Sequence, residues 1–219
     1  MLRGLILDLD GVIVDSHPAH QVAWKTLLSS LGKRPSDHEL DFVLEGHKRE
    51  DILRHFLGEL TEEQMEKYGA RKEALFRESL CEVQTVNGFW EFLEQVDAER
   101  LPLALASSAS RSRVTYTLEH LELTGRFQVV VTGTDVAKGK PDPALFNLAA
   151  EGIGVDPSRI LVCEDAVNGV EAAKSAGMKC LAIAANGRMP LLKKAGADVI
   201  VPDFTATNLK QLRGLWDQE

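Results

Sequence analysis

The residues best equipped for chemistry are Asp8 and Asp10, two positions apart where the apolar run GLIL gives way to DLDG. An isolated carboxylate carries a large desolvation cost inside a sheet, so the pair belongs where the strand stops and an α/β cleft opens. Residues two apart share a side of a strand, and Gly11 lets the chain turn away directly afterwards. The plainer reading is a strand-ending turn with two solvated aspartates. A helix–loop–helix calcium site is excluded, because glycine falls at the fourth loop position rather than the sixth and Val12 takes a ligand position.

Other apolar runs end in the same way. LALASS closes on Ser107 and Ser108, whose hydroxyls and amides can donate to an anion. VTGTDVAKGKPDP carries Lys138 and Lys140, the latter between a glycine and a proline, and ILVCED closes on Glu164 and Asp165. Each has an ordinary reading: Ser107 as a helix cap, Lys140 as a surface charge, Asp165 as an N-cap. Together, carboxylates, hydroxyls and a lysine at four strand ends suit a phosphate and a hard divalent cation.

The elements that must position these residues follow from the patterning. GLILDL and, from Leu101 onward, LPLALASS, FQVVVTG, RILVCED, MKCLAIAA and ADVIVPDF are short apolar, β-rich runs, alternating with helical stretches and followed by the amphipathic TNLKQLRGLW. That alternation predicts an α/β fold, a Rossmann-like parallel sheet covered on both faces. Between the first and second runs the pattern is helical. AHQVAWKTLLSSLG sets Val22, Trp24, Leu27, Leu28 and Leu31 at helical spacing, EDILRHFLGEL and TEEQMEKYGARKEALFRESL continue it, and Thr61 with Gln64 forms a capping box. The division expected is an α/β core of residues 1–14 and 86–219 with an inserted helical cap of residues 15–85.

The 219 residues suffice for such a core plus an appendage. A 44% apolar and 26% charged composition is that of a globular protein, and a net charge of −8 argues against nucleic-acid binding. An anionic substrate therefore needs local positive help. Asp8 and Asp10 break the N-terminal apolar run, so it reads as neither signal peptide nor membrane span. Cys81, Cys163 and Cys180 are odd in number and widely spaced, which fits a reducing cytoplasm. Cys163, within an apolar run, reads as a small buried residue.

DLDGVIVDS, ALASS, GKPDP and CEDAVNG, in this order and spacing, resemble the four motifs of the haloacid dehalogenase superfamily, and they cover the whole core. The helical insertion, with His20, Trp24 and Lys25, then Gly46, Arg49, Glu50 and Asp51, then Arg71 and Lys72, resembles the β-phosphoglucomutase-like branch. The resemblance implies that Asp8 attacks phosphorus to form an aspartyl-phosphate while Asp10 acts as acid and then base. It implies Mg²⁺ held by Asp8, the Asp10 carbonyl and Asp165, with Glu164 in or near the set. Ser107, Ser108 and Lys140 would bind the phosphate oxygens, Lys140 being preferred to Lys138 because it immediately precedes the proline. The superfamily's dehalogenases need neither that acid nor magnesium, so Asp10 and Asp165 favour phosphoryl transfer.

The cap decides the acceptor, water or a sugar hydroxyl. Glu45 stands where the mutase branch has a lysine and Ile52 where it has a serine, which weakens the grip on a second phosphate. His47, Lys48 and Arg49 remain as anion-binding candidates, against a plainer reading as helix-surface ion pairs, Glu45 with Arg49 and Lys48 with Asp51. His20 is either a packed histidine or the link between cap closure and Asp10, and Lys72 either a ligand or a solvated charge. The leading expectation is a Mg²⁺-dependent phosphatase acting on a small phosphorylated metabolite such as a sugar phosphate. A β-phosphoglucomutase-type mutase comes second, a pyrophosphatase third, and a non-enzymatic phosphate- or metal-binding module is the different-class alternative. A monomer is expected, with neither nucleic acid nor membrane as partner.

Overall fold

The computed structural model describes residues 1–78, 83–184 and 188–217; Cys81, and the last residues of the helical run ending in RESL, lie outside them. Six parallel strands, β1 (Gly4–Leu7), β2 (Leu103–Ser107), β3 (Val129–Thr132), β4 (Ile160–Glu164), β5 (Lys179–Ile183) and β6 (Val199–Val201), form one sheet in the order β3-β2-β1-β4-β5-β6. These are the six apolar runs. The chain winds from β1 toward β3, then returns to β4 on the other side of β1. The strand order therefore reverses at β1 and β4, where crevices of such folds open.

Strand side chains alternate between two cores. Leu5, Leu7, Leu103, Leu105, Leu161 and Cys163 pack on one face against α5 (Phe89–Ala98) and α6 (Arg111–His120). Ile6, Ala104, Ala106, Ile160 and Val162 face α7 (Ala144–Ile153), α8 (Val167–Ser175) and α9 (Met189–Ala195). Small residues on the second face let those helices approach closely. The amphipathic end forms α10 (Leu209–Arg213) and a 3-10 turn at Gly214–Trp216.

Between β1 and α5 lie α1 (His17–Ser30), α2 (Asp37–Leu40), α3 (Arg49–Leu57) and α4 (Glu62–Glu78). Trp24, Leu27, Leu28 and Phe76 are buried between these helices in a cluster continuous with the first face of the sheet. Val22, grouped with them by spacing, is instead 57% exposed. The capping box forms as expected, the Gln64 N–H donating to Thr61 Oγ1 at 3.2 Å and the Thr61 N–H to Gln64 Oε1 at 3.0 Å. Outgoing and returning chains cross side by side: the Asp15 N–H donates to the Gln84 carbonyl and the Val86 N–H to the Ile13 carbonyl.

Candidate active site

Asp8 follows the last residue of β1, Ser107 ends β2 and Glu164 ends β4, so strand pairing alone brings their side chains to one crevice. Lys140 reaches in from the loop before α7. Its Nζ donates to Asp8 Oδ1 at 2.9 Å and to Glu164 Oε1, and it is almost wholly buried. Lys138, its competitor in the sequence, is 81% exposed beside Asp142. The other Glu164 oxygen accepts the Asp165 and Ala166 N–H groups at 2.8 and 3.0 Å, so both oxygens of Glu164 are engaged.

Burial pushes the Asp8 carboxyl up to about 8, opposed by Lys140 and reinforced by Glu164, Asp10 and Asp165. Burial works against the Lys140 charge, but Asp8 and Glu164 outweigh it and hold its pKa above the ordinary value. Asp8, Glu164 and Asp165 each bring an oxygen within 4.8 Å of the others. Asp165 Oδ2 is buried with His17 Nε2 2.8 Å away, and this contact raises the His17 pKa against burial. Three acidic groups this close, with a single lysine among them, fit a hard divalent cation. Gly11 (φ +70°) passes directly over Asp165 and His17, where a side chain would collide with both.

Asp10 is tightly held. Ser16 Oγ donates to its Oδ1 at 2.6 Å, and Arg113 Nη1 and Nη2 grip Oδ1 and Oδ2 at 2.8 and 2.5 Å. His20 Nε2 lies 3.1 Å from Oδ1, while Lys72 Nζ meets His20 Nδ1 at 3.0 Å. Lysine can only donate, so with Nδ1 accepting from Lys72 the proton on Nε2 faces Asp10, beside Arg113 Nη1 at 3.2 Å from the same nitrogen. Burial, with Lys72 beside it, holds the His20 pKa down at about 3, so the ring is neutral. Burial would raise the Asp10 pKa, but Arg113 and His20 hold it well below the ordinary value.

Ser107 Oγ accepts the Ala109 N–H at 3.2 Å, leaving its own proton free to donate. Ser108 Oγ donates to the Gly46 carbonyl at 2.7 Å. Neighbouring contacts clasp the same cap segment: Arg188 Nη1 donates to the Leu44 carbonyl at 3.1 Å, and Lys48 Nζ to the Val136 carbonyl at 3.0 Å. Asn168 Nδ2 lies 3.1 Å from His47, whose ring stacks on Phe42. The expected helix-surface pairs do not form, because α3 begins at Arg49 and leaves Glu45 and Lys48 outside it. Glu45 lies 3.4 Å from His47, and Arg49 pairs with Glu50 at 2.7 Å. Of the residues put forward for the site, Glu45, Lys48 and Glu164 do not line the cleft, Lys48 being turned to the Val136 carbonyl.

Ser16, His17, Glu73 and Arg113 also line or border this cleft, and sequence reading missed them. Arg113 carries no signal beyond following ALASS on the next helix. His17 is three residues before His20, in the same loop-to-helix junction. The enclosed volume is only about 70 Å³, whereas ligand sites usually run to roughly 300 Å³ or more.

A parallel sheet carrying this carboxylate–lysine crevice beneath a helical insertion defines a phosphoryl-transfer class of α/β enzyme, and comparison with known proteins agrees. Residues 5–183 match the haloacid dehalogenase-like hydrolase family, and the chain belongs to it. It is 31% identical to a phosphorylated carbohydrates phosphatase of Thermotoga maritima, over 96% of this chain and 100% of that one. It is also 31% identical to the β-phosphoglucomutase of Bacillus subtilis, over 99% and 96%. The fold is shared with the crystal structure of a β-phosphoglucomutase from Clostridium difficile, at 24% identity and a TM-score of 0.88, covering 100% of this chain and 98% of that one. The chain is therefore an enzyme of the phosphohydrolase kind, in a family that includes phosphomutases. Among the described residues no helix is long and apolar enough to cross a membrane.

Proposed function

We propose that the protein is a Mg²⁺-dependent phosphatase acting on a small phosphorylated metabolite, such as a sugar phosphate, through an aspartyl-phosphate on Asp8. The observation that carries this reading is the Asp8–Lys140–Glu164 arrangement beside Asp165, three acidic groups whose oxygens lie within 4.8 Å of one another. Asp8 attacks phosphorus as the bond to the leaving oxygen breaks, and Asp10 gives that oxygen its proton. Water then attacks the phosphoryl group on Asp8, and Asp10 takes the proton back. Lys140, the Ser107 hydroxyl and the Ser108 amide hold the phosphoryl oxygens. Asp8, Asp165 and the Asp10 carbonyl would bind Mg²⁺, which supplies charge neutralisation for nucleophile and phosphate. Glu164, with both oxygens engaged, serves mainly to anchor Lys140.

Hydrolysis is favoured over mutase action by Glu45, which faces His47 rather than the cleft, and by Arg49, which is paired with Glu50. A mutase must hold a second phosphate, and of these residues only Arg49 offers a cation, with Nη2 taken by Glu50 and Nε left without a partner. The carbohydrate-phosphate phosphatase named above supports the substrate class. We also take residues 15–85 to act as a cap that opens at the paired crossings near Val14 and Thr85, since the cleft as it stands is too small for a sugar phosphate. Its chemistry requires no partner chain, and a cytoplasmic monomer remains our reading. Phosphate release should be measured with Mg²⁺ over sugar phosphates, glycerol phosphates, nucleotides and pyrophosphate, with β-glucose 1-phosphate monitored for glucose 6-phosphate. Selective release from sugar phosphates supports this function; isomerisation with little free phosphate contradicts it.

A further inference from the structure

Arg113 takes no part in the steps above, yet it is 5% exposed and stands between two carboxylates. Its fork grips Asp10 on one side, while Nε lies 3.9 Å from Glu73 Oε2 on α4. Tyr116, on the same helix as Arg113, donates its hydroxyl to that Glu73 oxygen at 3.3 Å. The Phe76 ring, 5.2 Å from the guanidinium carbon, covers the group from the cap side.

The two oxygens of Asp10 face four donors: Ser16 Oγ, His20 Nε2 and both terminal nitrogens of Arg113. Oδ1 takes three of these donors and has no acceptor position left, while Oδ2 faces only Arg113 Nη2. The two-pronged grip of Arg113 holds this carboxylate ionised, so Asp10 has to leave Arg113 before it can carry the proton that an acid gives. A buried guanidinium left without a carboxylate is strongly destabilised. Glu73 removes that penalty, because it already faces the opposite edge of the same group.

We propose that Arg113 is a positioning residue that exchanges carboxylates, holding Asp10 in the resting arrangement and pairing with Glu73 when Asp10 turns to the phosphoryl group. This rests on the phosphoryl-transfer reading of Asp10. Because Glu73 belongs to a cap helix and Arg113 to a core helix, the exchange couples Asp10 to cap position. Lys72, 3.8 Å from Glu73, is the other cation that competes for that carboxylate.

The test is the kinetics of phosphate release by Glu73→Gln, Arg113→Met, the double variant and Arg113→Lys/Glu73→Gln, with melting temperatures taken for each. Glu73→Gln should lower kcat about 10- to 100-fold with little change in KM, because the guanidinium then has nowhere to go. Removing the cation should cure the defect: the double variant should be faster than Glu73→Gln alone, and Arg113→Lys/Glu73→Gln should stay slow. A double variant as slow as Glu73→Gln, or slower, overturns the exchange. If Glu73→Gln does not fold, Tyr116→Phe, which only loosens Glu73, should show a smaller kcat loss with the same recovery on Arg113→Met. A second readout does not require turnover: the Arg113 Nε–H nuclear magnetic resonance signal, identified by its loss in Arg113→Lys, followed on adding Mg²⁺ and orthovanadate. It should move in the parent protein but not in Glu73→Gln, and a signal unmoved in the parent overturns the proposal. A moved signal in a protein that releases phosphate from no ester would count against the phosphatase reading alone.

Discussion

Lys140 Nζ donates to Asp8 Oδ1 at 2.9 Å while the same ammonium holds Glu164. One buried cation thus serves two buried carboxylates, and removing it should be felt in both stability and rate. Lys140→Met should lower kcat about 10²- to 10³-fold, as loss of a group facing developing charge does. It should also cost about 3–5 kcal/mol of folding stability, since two buried carboxylates lose their partner. Steady-state kinetics and urea unfolding check this; a stable variant with normal turnover would remove Lys140 from the site.

Lys72 gives a pH signature. Burial lowers its pKa from 10.5 to about 8 against the pull of Glu73, with Arg113 adding to the fall. The unfolded chain therefore binds more protons between those pH values, and the Lys72 contribution to stability improves as pH rises from 8 toward 10.5. Below pH 8 the buried charge costs the fold about 3 kcal/mol through this shift. The stability difference between the parent and Lys72→Met should accordingly change between pH 8 and 10.5 and be flat from 6 to 7.5. A difference independent of pH would mean that Lys72 has the same pKa in the folded and the unfolded protein.

Gly46 should not tolerate a side chain. Its φ of +82° strains any L-residue, and a Cβ there would meet Ala166 Cβ at 3.1 Å. Gly46→Ala should destabilise by more than about 1 kcal/mol and loosen the segment that Ser108, Lys48 and Arg188 clasp. Hydrogen exchange across residues 44–48 would show it as faster exchange, and unchanged protection would mean that the clasp is not held by this backbone conformation.

The strands were readable because each is buried on both faces and so appears as a continuous apolar run, and because carboxylates and hydroxyls at run ends have few other places to go. Asp8, Ser107, Glu164 and Asp165 reach one crevice through strand order, and Lys140 joins them from the loop before α7. Arg113 was not readable, since an arginine on a helix normally marks solvent, and only the tertiary meeting of α6 with Asp10 and Glu73 buries it. The cap pairs failed for a local reason: Glu45 and Lys48 precede the helix, where spacings of three and four have no meaning. Val22 shows the same limit, because a helix with apolar residues on more than one side does not say which side the core takes.

Chelation bears on the acidic group of Asp8, Asp165 and Glu164. Activity should disappear with excess chelator and return with Mg²⁺, and the melting temperature of the metal-free protein should rise on adding Mg²⁺ alone. Full activity in chelator would show that Lys140 suffices for charge neutralisation.

The central claim is that Asp8 carries the phosphoryl group. The most direct measurement is the mass of the peptide containing Asp8 after acid quenching during turnover, in the parent and in Asp8→Asn. The account predicts an added phosphoryl group on Asp8 in the parent, and neither adduct nor turnover in Asp8→Asn. Turnover in Asp8→Asn at the parent rate, or an adduct on another residue, would contradict it.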